Sequence, residues 1–199
     1  DTGPMTLEQI VAELADAHAA GMDVARLHSG DPSIYSALAE QCRHLDALGV
    51  NYEIVPGVPA FAAAAAALGR ELTVPGVAQT VTLTRVATLS TAMPLGEDLR
   101  TLSAPGATLV LHLAAAQVDG IVPELIAGGY RAETPCAVVA FASWPQEKVL
   151  TCTLGDLAEH MHAAGVTRTA VIIVGDVLAA EGFADSYLYS ADRRRGSRH

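Results

Sequence analysis

Val24-Ala-Arg-Leu-His-Ser-Gly-Asp-Pro-Ser-Ile-Tyr35 is the stretch on which the fold turns. Its first residues, together with Asp23, read as a short strand over 23–28. Ser29-Gly30-Asp31-Pro32 has the composition of a tight turn, and Ile34, Leu38, Cys42 and Leu45 fall at helical spacing before Gly49. A strand, a turn and a helix in immediate succession are the unit of a parallel α/β layer.

The pattern continues on both sides. Upstream, Leu7, Ile10, Val11 and Leu14 form an apolar stripe, with Thr6 and Gln9 spaced as a capping box and Gly21 as terminator. Downstream, 52–55 predicts a second strand, Pro56-Gly57 breaks it, and Pro59 stands as the first residue of an alanine-rich helix ending near Gly69. After Pro75-Gly76 the texture turns β-branched, which places a lobe boundary between about Val74 and Thr80 and gives lobes 1–76 and 77–199. The second lobe predicts strands over 108–113, 135–141, 148–154 and 169–174, with helices over 118–127 and 156–164. The short turn at Trp144-Pro145 implies a hairpin, so this lobe should have a mixed sheet. The expectation is an α/β fold of two lobes, the first with a mainly parallel sheet. The chain opens on Asp1-Thr2-Gly3-Pro4 and a helix, whereas a doubly wound layer has its first strand in mid-sheet, so N-terminal strands are expected to be missing from this sequence.

Composition narrows the function. Of 199 residues 51% are apolar, which excludes disorder and allows a sizeable core without staples. The formal charge of −10 argues against a nonspecific grip on nucleic acid. The basic run Arg193 to Arg195 reads as a solvated tail. Cys42, Cys136 and Cys152 are odd in number and have no paired spacing, so neither a disulfide framework nor a metal site is expected, and a reducing cytoplasm fits. The longest apolar stretch, 58–68, is about half a membrane span. His160 and His162 lie two apart on a helix and cannot share a face. Dinucleotide, P-loop, serine-hydrolase and zinc-protease patterns are absent.

Gly30 lies where a strand hands over to a helix, a position suited to close backbone approach by a ligand. Asp31 there is open to two readings, a ligand contact or a plain N-cap followed by Pro32 at the first helical position. Val55-Pro56-Gly57-Val58-Pro59-Ala60 repeats the arrangement, so two glycine turns opening onto one edge imply a shared cleft or, alternatively, two ordinary connections. His112 interrupts an apolar strand and is either an interior residue or points into a cleft.

Val24 to Tyr35, Tyr52 to Ala64, Thr80-Val-Thr-Leu-Thr-Arg85, Phe141-Ala-Ser-Trp-Pro-Gln-Glu-Lys148 and Thr169-Ala-Val-Ile-Ile-Val-Gly175, in that order and spacing, resemble the tetrapyrrole methylase family, and within it the members that methylate a corrin precursor. The resemblance implies a two-lobed, homodimeric, cytoplasmic enzyme of cobalamin and porphyrin biosynthesis that binds S-adenosyl-L-methionine in a cleft between its lobes and releases S-adenosyl-L-homocysteine. Carried over by position, cofactor contacts fall on Gly30, Asp31, Ser33, Ile34, Pro59 and Ala60, and on Leu113, Phe141, Ala142 and Ala170. Pro59-Ala60 departs from the Thr-Ser or Thr-Ala often found in the family, which removes a hydroxyl contact. The family's opening strand and Gly-x-Gly-Pro-Gly-Asp loop are not present. The implied substrate is an anionic tetrapyrrole, so arginines should hold its carboxylates: Arg85 first, unless it makes an ordinary surface salt bridge, then Arg70, with His28 and His112 as orienting candidates. Methyl transfer from a sulfonium relies on positioning, and neither a metal nor a general base is expected. A metal-free substrate is preferred over a cobalt-bound one. The rival readings are another ring position, RNA as acceptor, or a binding module without activity.

Overall fold

The computed structural model describes residues 2–87 and 91–186; the basic run at 193–195 lies outside them. The chain divides into two compact units, 1–60 and 61–199. The expected lobe boundary at 76/77 falls inside the second.

In the first unit, α1 (Leu7–Ala19) begins on the capping box: Gln9 N–H donates to Thr6 Oγ1, and Thr6 N–H donates to Gln9 Oε1 at 2.8 Å. α2 spans Leu38–Ala47 and starts later than expected. Tyr35 and Ala37 both have φ +52, a left-handed backbone that cannot continue a right-handed helix back to Pro32. The runs 22–28 and 50–59 carry no sheet pairing, so the mainly parallel first sheet is not formed among the described residues. A strand is defined by its ladder, and these runs instead leave Val24, Leu27, Ile54 and Val55 exposed. α3 (Ala60–Leu68) begins one residue after Pro59, and the unit boundary falls at its first residue.

Among its described residues the second unit holds one five-stranded mixed sheet. Its strands are β1 (Val81–Arg85), β2 (Thr108–His112), β3 (Pro135–Ala140), β4 (Lys148–Thr153) and β5 (Ala170–Val174), in the order β1-β2-β5-β3-β4. Only β1 and β2 run parallel; β3 and β4 form the expected hairpin. The period-two alternation of β structure gives each face its own core. Leu109, Leu111, Cys136, Val138, Ala140, Ile172 and Val174 face a cluster completed by residues of α4 (Leu99–Leu102), α5 (Val118–Ala127) and α6 (Leu157–Ala163). Val110, Val139, Val171 and Ile173 face the other way, onto Ala64, Phe61 and Leu68 of α3. The unit is therefore helix, sheet and helix in layers, a buried arrangement that explains the near-continuous apolar runs of β2, β3 and β5. No helix among the described residues is long and apolar enough to cross a membrane.

Candidate functional site

In the first unit the two glycine turns meet. Asp31 joins them: its Oδ1 accepts the Ser33 N–H at 2.8 Å and the Ser33 hydroxyl, and its Oδ2 accepts the Gly57 N–H at 2.7 Å. Asp31 is thus an Asx-turn residue bonded across the chain and not the N-cap of α2, whose N-cap position is Ala37. The Ser33 hydroxyl bond, then the Gly57 and Ser33 N–H groups, hold its carboxyl below the ordinary carboxylate range. A Cβ on Gly57 would stand 2.2 Å from the Gly30 carbonyl oxygen, so the two backbones touch where only glycine fits. Gly30, with φ +75, needs its freedom for the turn itself and lies against the backbone of Val58 and Ala60. Gly30, Asp31, Ser33, Pro59 and Ala60 are therefore brought together. Ile34 continues the same turn, donating its N–H to the Asp31 carbonyl at 3.3 Å. His28 precedes the turn half-buried, and desolvation followed by the Arg26 charge lowers its pKa.

In the second unit the strand directions gather residues on one sheet edge. The carboxyl ends of β1, β2 and β3 and the amino ends of β4 and β5 share it, placing Arg85, His112, Leu113, Phe141, Ala142 and Ala170 along one rim. Four non-glycine residues here have left-handed backbones: Leu113 (φ +53), Phe141 (+54), Ser143 (+65) and Thr169 (+52). Such conformations cost of order 1–3 kcal/mol each and persist where surrounding bonds impose them. Phe141 N–H, for instance, donates to the Thr169 carbonyl at 2.8 Å.

Arg85 and His112 are register partners in the β1·β2 pair. Among the described residues Arg85 makes no surface salt bridge. Its Nη1 donates to the carbonyls of Val86 (3.0 Å) and Thr91 (3.2 Å), and its Nη2 to that of Ala92 (3.0 Å), fastening the segment that leaves β1. His112 is an interior residue, 7% exposed, edge-on to Phe61 with ring centroids 6.4 Å apart, and burial lowers its pKa. Arg70 is not brought to this rim. It lies beside Leu72, whose carbonyl accepts the Thr108 hydroxyl at the opposite end of β2, roughly 13 Å away at strand rise. There it lines an open hollow of about 520 Å³ with Phe61, Ala65 and Leu83. The sequence does not announce this clamp on Val86, Thr91 and Ala92, because carbonyl acceptors carry no residue-type signal. Among the described residues no group of three or more His, Cys, Asp or Glu side chains is placed to hold a metal ion.

With this geometry in view, the comparisons are specific. The family model for tetrapyrrole (corrin/porphyrin) methylases matches residues 1–158. The chain is 77% identical over 193 residues to a precorrin-4 C(11)-methyltransferase of Mycobacterium tuberculosis, covering 97% of this chain and 77% of that protein. Among solved structures, a cobalt precorrin-4 methyltransferase described as a cobalamin biosynthetic enzyme superposes with TM-score 0.85 at 39% identity, over 89% of this chain and 74% of its own. A uroporphyrin-III C-methyltransferase from Thermus thermophilus, complexed with S-adenosyl homocysteine, superposes with TM-score 0.71 at 30% identity, over 86% and 74%.

Proposed function

The chain belongs to the tetrapyrrole (corrin/porphyrin) methylase family, and from that premise we propose that it transfers a methyl group from S-adenosyl-L-methionine to C-11 of precorrin-4, giving precorrin-5 in cobalamin biosynthesis. The observation that carries this reading is the 77% identity to a precorrin-4 C(11)-methyltransferase, sustained over 97% of the chain. The metal-free precursor is favoured because that relative is named for it, whereas the cobalt-named structure is 39% identical. On the family resemblance we also assign a homodimer working in the cytoplasm, in which each chain has two lobes.

The residues suit such a cofactor. The side-chain-free Gly30 permits close approach to its backbone, and Asp31, held ionised by Ser33 and Gly57, offers acceptor capacity to hydroxyl or ammonium donors. Exposed Leu113 and half-buried Phe141, Ala142 and Ala170 offer apolar contact. When bound, S-adenosylmethionine supplies an electrophilic methyl, so alignment of the acceptor carbon is what the protein must contribute. Arg85 has three of its five N–H donors on carbonyls among the described residues, and its guanidinium is the planar group suited to a substrate carboxylate. His112, kept neutral by burial, lies beside it without acting as a base.

Two measurements test the assignment. Calorimetric titration with S-adenosylhomocysteine should show saturable one-site binding at micromolar concentration, weakened about tenfold by Asp31→Ala, which removes bonds to an ionised acceptor. Incubation of precorrin-4 with methyl-13C S-adenosylmethionine should place one labelled carbon at C-11. Label at another ring carbon would move the assignment within the family, and binding without any transfer would mean a module that has lost its activity.

A further inference from the structure

Trp144 is the chain's one tryptophan, and it is 57% exposed. Burial of so large an apolar surface is the usual outcome, since aromatic side chains contribute most where they are covered. Here the structure does the reverse and holds the indole outward on a rigid turn. Trp144 N–H donates to the Phe141 carbonyl at 2.9 Å, and Glu147 N–H donates to the Trp144 carbonyl at 3.0 Å. The Glu147 carboxylate in turn accepts the Ser143 N–H at 2.6 Å. Pro145 restricts the Trp144 backbone further. Phe141 and Ser143, both left-handed, complete the turn, so local strain is spent on the side that keeps Trp144 in the open.

The turn stands on the sheet rim that carries Arg85 and Leu113. Trp144 does not stand there alone: Phe141 packs beside it with ring centroids 6.2 Å apart at 46°, and Leu113, 61% exposed, directly follows β2, two strands from β3 in the sheet. From the end of β1 to the end of β3 is three strand spacings, roughly 14 Å. A cationic residue and an exposed aromatic residue carried at or just beyond strand ends about that far apart suit a large, flat, multiply anionic ligand better than a compact one. We propose that Trp144 is a specificity-determining residue for the tetrapyrrole, its indole face forming the wall against which one ring of the macrocycle lies while Arg85 holds a carboxylate at the other end of the rim. This inference rests on the methyltransferase reading above.

Steady-state kinetics with anaerobically prepared precorrin-4 test it, with the KM of each substrate determined separately. Trp144→Ala and Trp144→Leu are expected to raise the KM for precorrin-4 about tenfold, the range that loss of an aromatic stacking partner produces. The KM for S-adenosylmethionine and the thermal midpoint should stay unchanged, and Trp144→Phe should restore the precorrin-4 KM to within about twofold. An unchanged precorrin-4 KM in both nonaromatic variants would overturn the inference, as would a raised KM for S-adenosylmethionine, which would assign the wall to the purine. If the unsubstituted protein binds S-adenosylhomocysteine but does not methylate precorrin-4, the parent reading fails and this inference with it. Turnover that is indifferent to Trp144 fails this inference alone.

Discussion

At the scale of single residues, the first-unit site depends on one carboxylate and one missing side chain. Asp31 receives three hydrogen bonds that favour its charged form, and its folded-state pKa is lowered. The linkage then has a definite sign. The turn-to-turn bond contributes fully above the unfolded pKa of an aspartate and is lost as pH falls through the lowered folded value. The Asp31 carboxyl carbon, followed by NMR, should therefore titrate with a midpoint below that of free aspartate, and the Gly57 amide should shift in step. A midpoint at or above the free value would mean that the bond to Gly57 is not formed in solution. Gly57 itself admits no Cβ, because the nearest atom is backbone and cannot swing away. Gly57→Ala should cost about 1–3 kcal/mol, in the range of forced overpacking. Thermal melts would register that loss, and weaker S-adenosylhomocysteine binding should accompany it as the Gly30 turn is displaced.

At the scale of elements, Arg85 links a strand to the segment that follows it. Two guanidinium nitrogens reach three carbonyls at 3.0–3.2 Å, a fan of donors that a lysine ammonium cannot reproduce in plane. Arg85→Lys is expected to speed hydrogen exchange at Val86, Ala87, Thr91 and Ala92 several-fold without moving that of β2; equal exchange in both proteins would show that these residues are held by something else. This clamp also shows the limit of the sequence. The helices α1 and α5 and the strands β2 to β5 were legible to within a residue or so, because each declares itself locally through a capping box, a 3.6-residue stripe or a short apolar run bounded by turn residues. The sequence offered the Gly30 and Gly57 turns as one cleft on a shared sheet edge or as two ordinary connections; the turns do meet, but through Asp31 and with no sheet beneath them among the described residues. What was not legible depends on distant partners. The 23–28 and 52–55 runs read as strands but have no ladder among the described residues, and the late start of α2 follows from left-handed Tyr35 and Ala37, residue types that do not advertise such a backbone. Arg70 and Arg85 look alike in sequence, and only the pairing of Leu72 with Thr108 sends the first to the far end of the sheet.

At the scale of the molecule, the two units differ sharply in how much they bury. The second encloses both faces of its sheet, with Leu109, Leu111, Val110, Ile172 and Ile173 at 1% exposure or less. The first, among its described residues, buries only Val11, Gln41 and Leu45. Apolar burial is the main term opposing chain entropy, so regions with few buried contacts open at lower free energy than regions with many. Amides of α1 and α2 should accordingly exchange with solvent well before those of β2, β3 and β5, in a hydrogen-exchange experiment on the whole chain. A ligand that binds only the folded form adds to stability in proportion to the logarithm of its concentration over Kd. S-adenosylhomocysteine at about 100 times its Kd should therefore slow exchange in the first unit by up to roughly 100-fold, most of all at 29–33 and 56–60. If both units exchanged together without ligand, the first would be drawing stability from interactions beyond its own small core. If ligand protected the second unit and left 29–33 and 56–60 unchanged, the Asp31 and Gly57 turns would not be part of the cofactor site.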